Sequence, residues 1–576
     1  MTRALRYFLE WITPGRAVLL FLLMVLPTVF APYHADDYFH LLILQGDPLL
    51  QRGGDGSLFG LFSFVDDNPQ HREQLLRYGV LPWWASENYH FRFLRPLGEV
   101  THWLDFQLFG DRPMVAHIHS ILWFLLGALL FWKVLRKIMG KHGDGKLLLF
   151  AFVLFLWDGQ HIGTISWIAN RSALMAFVFA LGSLYFHVEW REGKRGFFAP
   201  VAAHLLLLVA LACGEIALAI FGYLLAYAVF LDRNRFVNSL FSLSGYGLLV
   251  LGYIVLYQQL GFGASTSDSY INPVSDPAGF LSAGAERFLV YLNSMFLPIP
   301  AGSSWIGGVE FWYLTWLLVA LGVLVLVAVL YLFLPLLKRD RQLAFWFSGA
   351  MLSVIPILAA LPQDRLTMFM TAGMAVFVAM VIGKWLLSGK GERVQITVAK
   401  AMLVIHLLLS PLYLLGGTTF MAMDTWRLLH RAKAFDDQVP VVGKKLLVLE
   451  MPLGISISMM GMRKAVGEAL PESMLTIGNE EGDTTYRLLS DREILVNREP
   501  GFAIGYESVF RSVRREPFRK GDEIALHNVV ITVLDVTRDG TPISLLVTLD
   551  EPMDSGNWLF FHFERGWVRP SDLATL

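Results

Sequence analysis

Long apolar runs, separated by short polar loops, form the main pattern of this chain. About 20 mostly apolar residues are long enough to cross the roughly 30 Å hydrocarbon layer of a membrane. Candidate spans occur at 16–33, 114–134, 146–162, 172–189, 197–213, 215–231, 236–257, 310–336, 343–361, 366–387 and 397–416. The chain is 55% hydrophobic and only 16% charged, whereas soluble domains carry about 25% charged residues. The pattern predicts an all-α, polytopic membrane domain of about eleven spans.

Lys and Arg are concentrated in alternate short loops. They precede the first span and follow the second, fourth, sixth, eighth and tenth spans. Basic short loops stay in the cytoplasm, so the N-terminus is predicted inside and the C-terminus outside. Arg171 and Arg365 are exceptions, since they stand in short outer loops that otherwise carry almost no basic residue.

Three segments stand apart from the spans. Residues 34–113 and 258–309 form long outer loops. After residue 417 the composition becomes mixed, which predicts a transmembrane domain over 1–417 and an extracytoplasmic soluble domain over 418–576. This second domain is predicted to be small and mostly β or α+β. Strands are expected at 445–450 and 523–535, and a hairpin is expected between 529–536 and 543–549.

Several function classes are unfavoured by the composition. A formal net charge of -1 argues against a nucleic-acid partner. Cys213 is the only cysteine, so the chain can form no disulfide within itself. No Walker A loop or Gly-rich dinucleotide motif occurs, which argues against an ATP-driven transporter. The basic, then apolar N-terminus is interpreted as a retained signal anchor that places the chain in the plasma membrane.

Acids and arginines cluster on the predicted outer side. A charged pair at a membrane boundary is costly unless it faces water or a partner, and carboxylates beside arginines suit a reaction on a phosphorylated lipid. Each residue also has a structural interpretation, as a solvated loop group, a helix cap or a snorkelling side chain. The candidates are Asp36, Asp37, Arg92, Arg95, Asp158, His161, Asn170, Arg171, Glu215, Asp364 and Arg365.

These residues lie in short motifs that resemble the GT-C superfamily of polytopic glycosyltransferases, which use polyprenyl-phosphate sugars. The closest resemblance is to the protein O-mannosyltransferase-like branch, over about residues 15–416. Gly214 replaces a Lys of that branch, Leu94 replaces a Tyr, and no tetratricopeptide tail is present. The motifs are Asp36-Asp37, Leu94-Arg95-Pro96-Leu97, Gly110-Asp111-Arg112-Pro113 with His117, His161 with Ser166-Trp167-Ile168-Ala169-Asn170-Arg171, Cys213-Gly214-Glu215 and Asp364-Arg365-Leu366.

The resemblance implies transfer of a sugar from a polyprenyl-phosphate donor to a hydroxyl of a lipid, glycan or protein, by inverting displacement. Asp36 is the expected general base, and Asp37 is expected to orient Asp36, the acceptor or a divalent ion. Substrate-binding residues are expected at Arg95, His161, Arg171, Glu215 and Arg365. The resemblance leaves open whether a divalent cation, Mg²⁺ or Mn²⁺, takes part.

A second function class is a non-catalytic protein of envelope polysaccharide assembly, or a flippase subunit for lipid-linked sugars. A flippase needs polar groups along a path through its spans. Here the ionisable residues collect at the outer face, which favours the transferase.

The predicted orientation can be tested with a reporter fused after Leu576 that is active only in the cytoplasm. We expect no reporter signal, because the alternation of basic loops places this end outside. The same reporter fused within the basic loop near Arg233 serves as the positive control. Strong activity after Leu576 would show that the number of spans is even.

Overall fold

The computed structural model describes residues 1–47, 59–140, 145–303, 312–389, 391–479 and 482–575. Helices dominate as far as residue 433. Several begin at a side chain that accepts a hydrogen bond from the first turn, as Thr13, Asn68, Asp276 and Asp340 do. The α-helices are Thr2–Trp11, Pro14–Val29, Asp36–Leu44, Pro69–Arg77, Pro96–Phe109, Pro113–Met139, Gly145–Leu156, Ile162–Ser166, Arg171–Arg191, Phe198–Cys213, Ile220–Ala226, Phe236–Phe241, Ser244–Gln259, Pro277–Phe296, Trp312–Leu337, Arg341–Ser353, Met368–Ile382, Arg393–Val404 and Ser410–Lys433, with Leu453–Ala465 in the C-terminal part.

Within the described residues, seven helices are long and apolar enough to cross a membrane. The number rises to nine if each of two bent helix pairs is one span. Two further apolar helices, Phe198–Cys213 and Glu215–Leu231, are shorter and coincide with the fifth and sixth predicted spans. The multi-pass character is confirmed, whereas the count of eleven is not, because these two helices fall short of the length that a span ordinarily needs.

The predicted boundary at residue 417 falls inside a helix. Helical structure runs without a break from Arg393 to Asp436, so the last apolar segment continues directly into the C-terminal part. Trp426, on this extension, donates a hydrogen bond from its indole Nε1 to the carbonyl of Phe30, 2.9 Å away. The C-terminal part is therefore joined to the membrane helices by a continuous helix and not by a linker.

The strands form three sheets. The five-stranded sheet has the order β6-β7-β10-β9-β8 and is antiparallel. The four-stranded sheet, β12-β11-β4-β5, is mixed, and β1-β2-β3 joins the two long outer loops. The strands are β1 Ser63–Val65, β2 Phe91–Arg92, β3 Gly263–Ala264, β4 Lys445–Glu450, β5 Ser473–Gly478, β6 Asp483–Leu488, β7 Glu493–Glu499, β8 Glu523–Ala525, β9 Val529–Val536, β10 Pro542–Leu549, β11 Trp558–His562 and β12 Gly566–Val568.

The predicted hairpin is confirmed between β9 and β10. Val529, Ile531 and Val533 are buried while Val530 is exposed, which is the alternation expected of a strand with one face in a core. Gly540 closes the turn with φ +80, and a Cβ there would lie 2.3 Å from Pro517 Cβ. Glycine is required at this position for both reasons.

The first outer loop and the C-terminal part share one hydrophobic core. Trp83 and Trp84, from the loop, pack in the same cluster as Ile477, Phe502 and other residues of the C-terminal sheets. Their indole N–H groups donate to the carbonyls of Ile477, at 2.8 Å, and Glu507, at 3.1 Å. Since both the apolar surface and the polar atoms are satisfied across this boundary, the outer loop and the C-terminal part form a single outer body.

Replacing Trp84 by alanine tests this shared core. The residue is fully buried, and deleting a buried tryptophan side chain costs about 3–5 kcal/mol of stability. We expect a clearly lower melting temperature for the detergent-solubilised protein. Leu489→Ala, at a site that is 49% exposed, is the control and should melt like the wild type. Equal melting temperatures for all three proteins would contradict a common core.

Candidate active site

A cavity of about 190 Å³ lies where the membrane helices meet the outer body. Helix Asp36–Leu44, the first outer loop, residues 360–366 and the C-terminal part all contribute to its walls. Most of the lining is apolar or aromatic. The polar side chains of the lining, apart from tyrosine and tryptophan, are Asp36, His71, Ser269, Gln363 and Arg365.

Asp36 is the predicted acid that lines this cavity. It stands in the first turn of helix Asp36–Leu44, and its carboxylate has no side-chain hydrogen bond or ion pair with any described residue. Burial raises the pKa of Asp36 above its ordinary value, while the charges of Arg365 and Arg95 oppose the rise. A carboxylate with a raised pKa is a stronger proton acceptor.

Asp37 links the N-terminal end of helix Asp36–Leu44 to the backbone before and beside it. Its carboxylate accepts hydrogen bonds from the backbone N–H of Ala169, at 2.7 Å, and of His34, at 3.0 Å. Burial raises the pKa of Asp37 to about 7, against the opposing effect of these hydrogen bonds. Ala35 has φ +42 in the tight turn before the helix, a conformation that favours glycine. The clasp by Asp37 stabilises this strained turn.

Arg365 brings a positive charge to the cavity without an acidic partner among the described residues. Its Nε donates to the side-chain oxygen of Gln363, and its Nη1 donates to Oδ1 of Asn170, 3.0 Å away. The guanidinium lies over the ring of Trp167, 4.8 Å from the centroid. Because all of these partners are neutral, the charge is available to an anion in the cavity.

Arg95 and Glu215 form an ion pair beside the cavity. Nε of Arg95 lies 3.4 Å from Oε2 of Glu215, and Tyr257 donates to Oε1 of the same carboxylate at 2.8 Å. Arg95 also stacks between Phe62 and Phe93. Burial is the largest single effect and lowers the pKa of Arg95, but the charge and hydrogen bond of Glu215 together with Tyr270 and Tyr257 outweigh it, so the net shift is upward. Glu215 thus holds Arg95 in a fully charged state near Asp36.

Arg171 is fully buried and does not line the cavity. Its Nη1 lies 2.5 Å from Oδ2 of Asp105, and its other nitrogens donate to Ser120 Oγ and the carbonyl of Ala116. These contacts occupy the guanidinium with protein groups between helices Pro96–Phe109, Pro113–Met139 and Arg171–Arg191. Arg171, expected to bind substrate, therefore lies among protein groups outside the cavity lining.

His161 is also fully buried away from the cavity. Its ring packs against Phe124 and Phe155, and Nε2 lies 2.9 Å from the carbonyl oxygen of Phe155. The arrangement is that of a packed core histidine. Its predicted contact with substrate has no counterpart in the cavity lining.

Two other outer acids are engaged with neighbouring backbone. Asp158 accepts from the N–H of Gln160 at 2.9 Å, and Asp364 accepts from the N–H of Ala301 at 2.6 Å. Burial raises the pKa of Asp364 to about 6. Asp364 stands between the lining residues Gln363 and Arg365, whereas Asp158 caps the short helical turn Gly159–His161.

Among the described residues, no group of three or more His, Cys, Asp or Glu side chains is arranged to hold a metal ion. Asp36 stands apart from Asp37, whose oxygens are both bonded to backbone N–H groups. The acidic pair therefore divides into one carboxylate at the cavity and one in the framework.

The C-terminal part closes one wall of the cavity with Ile457, Tyr506, Val509 and Phe510. The segment that carries the last three is anchored by Glu507, which pairs with Arg498 at 2.8 Å. This contribution was not predicted, because residues from distant strands meet here only after folding. His71 was also missed, although Asp66 and His71 are close enough in sequence to have signalled a pair.

No protein-family model matches the chain, and no curated protein matches it. Two crystal structures of the Archaeoglobus fulgidus oligosaccharyltransferase are similar to it, one tethered to an acceptor peptide containing the NVT sequon and one in the apo form, each with a TM-score of 0.39. Identity is 10% and 9%; the matches cover 81% and 82% of this chain but only 64% and 66% of the oligosaccharyltransferase, less than two thirds of its length.

ArnT from Cupriavidus metallidurans, in a crystal structure with undecaprenyl phosphate, is similar to the chain with a TM-score of 0.37 and 12% identity. The match covers 80% of this chain and 88% of ArnT.

Proposed function

We propose that this protein is a membrane glycosyltransferase that moves a sugar from a polyprenyl-phosphate donor to an acceptor hydroxyl at the extracytoplasmic face. One observation carries the proposal. Asp36, a carboxylate with a raised pKa, and Arg365, a cation with only neutral partners, line the same cavity. A base for a hydroxyl and a binding group for a phosphate are the two functions that this transfer requires.

The reaction is a direct displacement. Asp36 accepts the proton of the acceptor hydroxyl as its oxygen forms a bond to C1 of the sugar. The bond from C1 to the phosphate oxygen breaks, and its electron pair stays with the polyprenyl phosphate. Arg365 stabilises the negative charge that grows on that phosphate, and the configuration at C1 inverts.

The supporting residues act through these two groups. Asp37 fixes the turn that presents Asp36. Arg95 is paired with Glu215. Its positive charge lowers the pKa of Asp36 and so opposes the rise that burial causes. Arg171 is assigned to the framework through its pair with Asp105. Because the C-terminal part forms one wall of the cavity, it also helps to determine which substrate the cavity accepts.

The proposed partners are a polyprenyl-phosphate sugar and a lipid, glycan or protein acceptor. The proposed location is the plasma membrane, with the cavity and the C-terminal part on the outer side. The apolar lining of the cavity suits a site that excludes water from a sugar–phosphate bond.

Asp36→Asn is the first test. A deletion strain is examined for a sugar missing from lipopolysaccharide, capsule, teichoic acid or glycoprotein, and transfer of that sugar is then measured in membranes. We expect the variant to accumulate normally and to transfer roughly 10²- to 10⁴-fold more slowly, because the base is lost. Asp554→Asn, at an exposed site of the C-terminal part, is the matched control. Normal transfer by the Asp36 variant would favour the non-catalytic class.

Arg365 is tested with two substitutions in the same assay. Lysine keeps the charge but loses the planar fork that binds phosphate, so Arg365→Lys should weaken use of the donor. Arg365→Gln should in addition raise the pKa of Asp36, since a nearby positive charge that lowers it is removed. A base must be ionised to act, so the acidic limb of the pH–rate profile should move to higher pH in Arg365→Gln only. Wild-type profiles for both variants would place the phosphate elsewhere.

A further inference from the structure

His71 lines the same cavity as Asp36 and Arg365, yet the mechanism above gives it no role. It lies in the first turn of helix Pro69–Arg77, and only 2% of the residue is exposed. Nδ1 of its ring is 3.0 Å from Oδ1 of Asp66. A histidine–carboxylate pair is thus built into the wall of the cavity.

The contact with Asp66 determines what the ring can offer. A carboxylate accepts a hydrogen bond, so Nδ1 carries the proton of the neutral ring, and Nε2 keeps a free lone pair. In the described part of the chain, the one hydrogen bond of the ring is that of Nδ1 to Asp66. Nε2 is therefore a hydrogen-bond acceptor in the wall of the cavity, in a ring that Asp66 orients.

Capping of the helix does not account for the pair. Asn68 accepts from the N–H of Gln70 at 3.0 Å, and Asp66 accepts from the N–H of Asn68 at 3.2 Å. The turn is complete without the imidazole. The neighbouring lining residues Val65, Leu75 and Val80 are apolar, so they offer Nε2 no hydrogen-bond donor, and a ligand hydroxyl in the cavity can supply one.

We propose that His71 binds a hydroxyl group of the donor sugar through Nε2, with Asp66 as the positioning residue that orients the ring. This inference rests on the proposed function and identifies the sugar subsite of the same cavity. Arg365 then binds the phosphate, and His71 binds the sugar that the phosphate carries.

The chemistry of the cavity suits a sugar ring. Aromatic side chains offer flat apolar faces to the C–H face of a sugar ring, and Tyr89, Phe91 and Tyr270 are among those in the lining. His71 adds the one directed acceptor that distinguishes a hydroxyl from an apolar group.

Binding of two kinds of probe to the purified full-length protein tests the inference. Farnesyl phosphate carries the phosphate but no sugar. Farnesyl phosphates that carry glucose, mannose or galactose add the hydroxyl groups, and the one that binds wild type most tightly is used. Dissociation constants are measured by calorimetry for the wild type and for each variant.

His71→Phe keeps a ring of similar size but removes the acceptor. We expect it to weaken binding of the sugar-bearing probe about three- to tenfold, the effect of one neutral hydrogen bond, and to leave binding of farnesyl phosphate unchanged. His71→Gln retains an acceptor and should recover part of the loss. Asp66→Asn should weaken only the sugar-bearing probe, since it acts through the ring. His430→Phe, at an exposed site outside the cavity, is the matched control.

The outcomes separate the two proposals. Arg365→Gln should weaken both probes, and if neither probe binds the wild type, the proposed function itself fails. If farnesyl phosphate binds but His71→Phe leaves the sugar-bearing probe unaffected, only the role of His71 is overturned. The same conclusion follows if no sugar-bearing probe binds the wild type more tightly than farnesyl phosphate.

Discussion

The clasp formed by the Asp37 carboxylate is the interaction on which the site depends. It joins the turn before helix Asp36–Leu44 to the N–H of Ala169, just before helix Arg171–Arg191 begins. The next residues of the same short helix, Tyr38 and Phe39, pack in hydrophobic clusters with the C-terminal part. One helix is thus fastened to the membrane helices by hydrogen bonds and to the outer body by apolar contacts. These hydrogen bonds and apolar contacts together fix the position of Asp36.

Division of labour between adjacent acids follows from that geometry. Two neighbouring carboxylates in one helical turn point in different directions, so they meet different surroundings. Asp37 is satisfied by backbone donors, whereas Asp36 faces a cavity in which its charge is balanced only at a distance by Arg95 and Arg365. The same contrast separates the arginines: Arg171 is neutralised by Asp105, while Arg365 has neutral partners. The proposed catalytic roles therefore fall to Asp36 and Arg365, whose charges no described residue neutralises in a direct ion pair.

The outer body gives the cavity its shape. Its core is shared between a loop that precedes the second membrane helix and strands from the end of the chain. Phe39, Tyr89 and Phe510 belong to that shared core and also line the cavity. Stability of the outer body and fit of a ligand are therefore coupled, because the same side chains serve both.

Hydrophobic run length and the spacing of basic loops were enough to predict a multi-pass helical protein, since a span is a local property of about 20 residues. Local alternation likewise predicted the β9–β10 hairpin, and short motifs singled out Asp36, Arg95, Glu215 and Arg365. The placement of Arg171 and His161 and the pairing of Arg95 with Glu215 could not be read from the chain. Those depend on contacts between residues far apart in sequence, and burial and charge pairing exist only once the helices and the outer body are packed together.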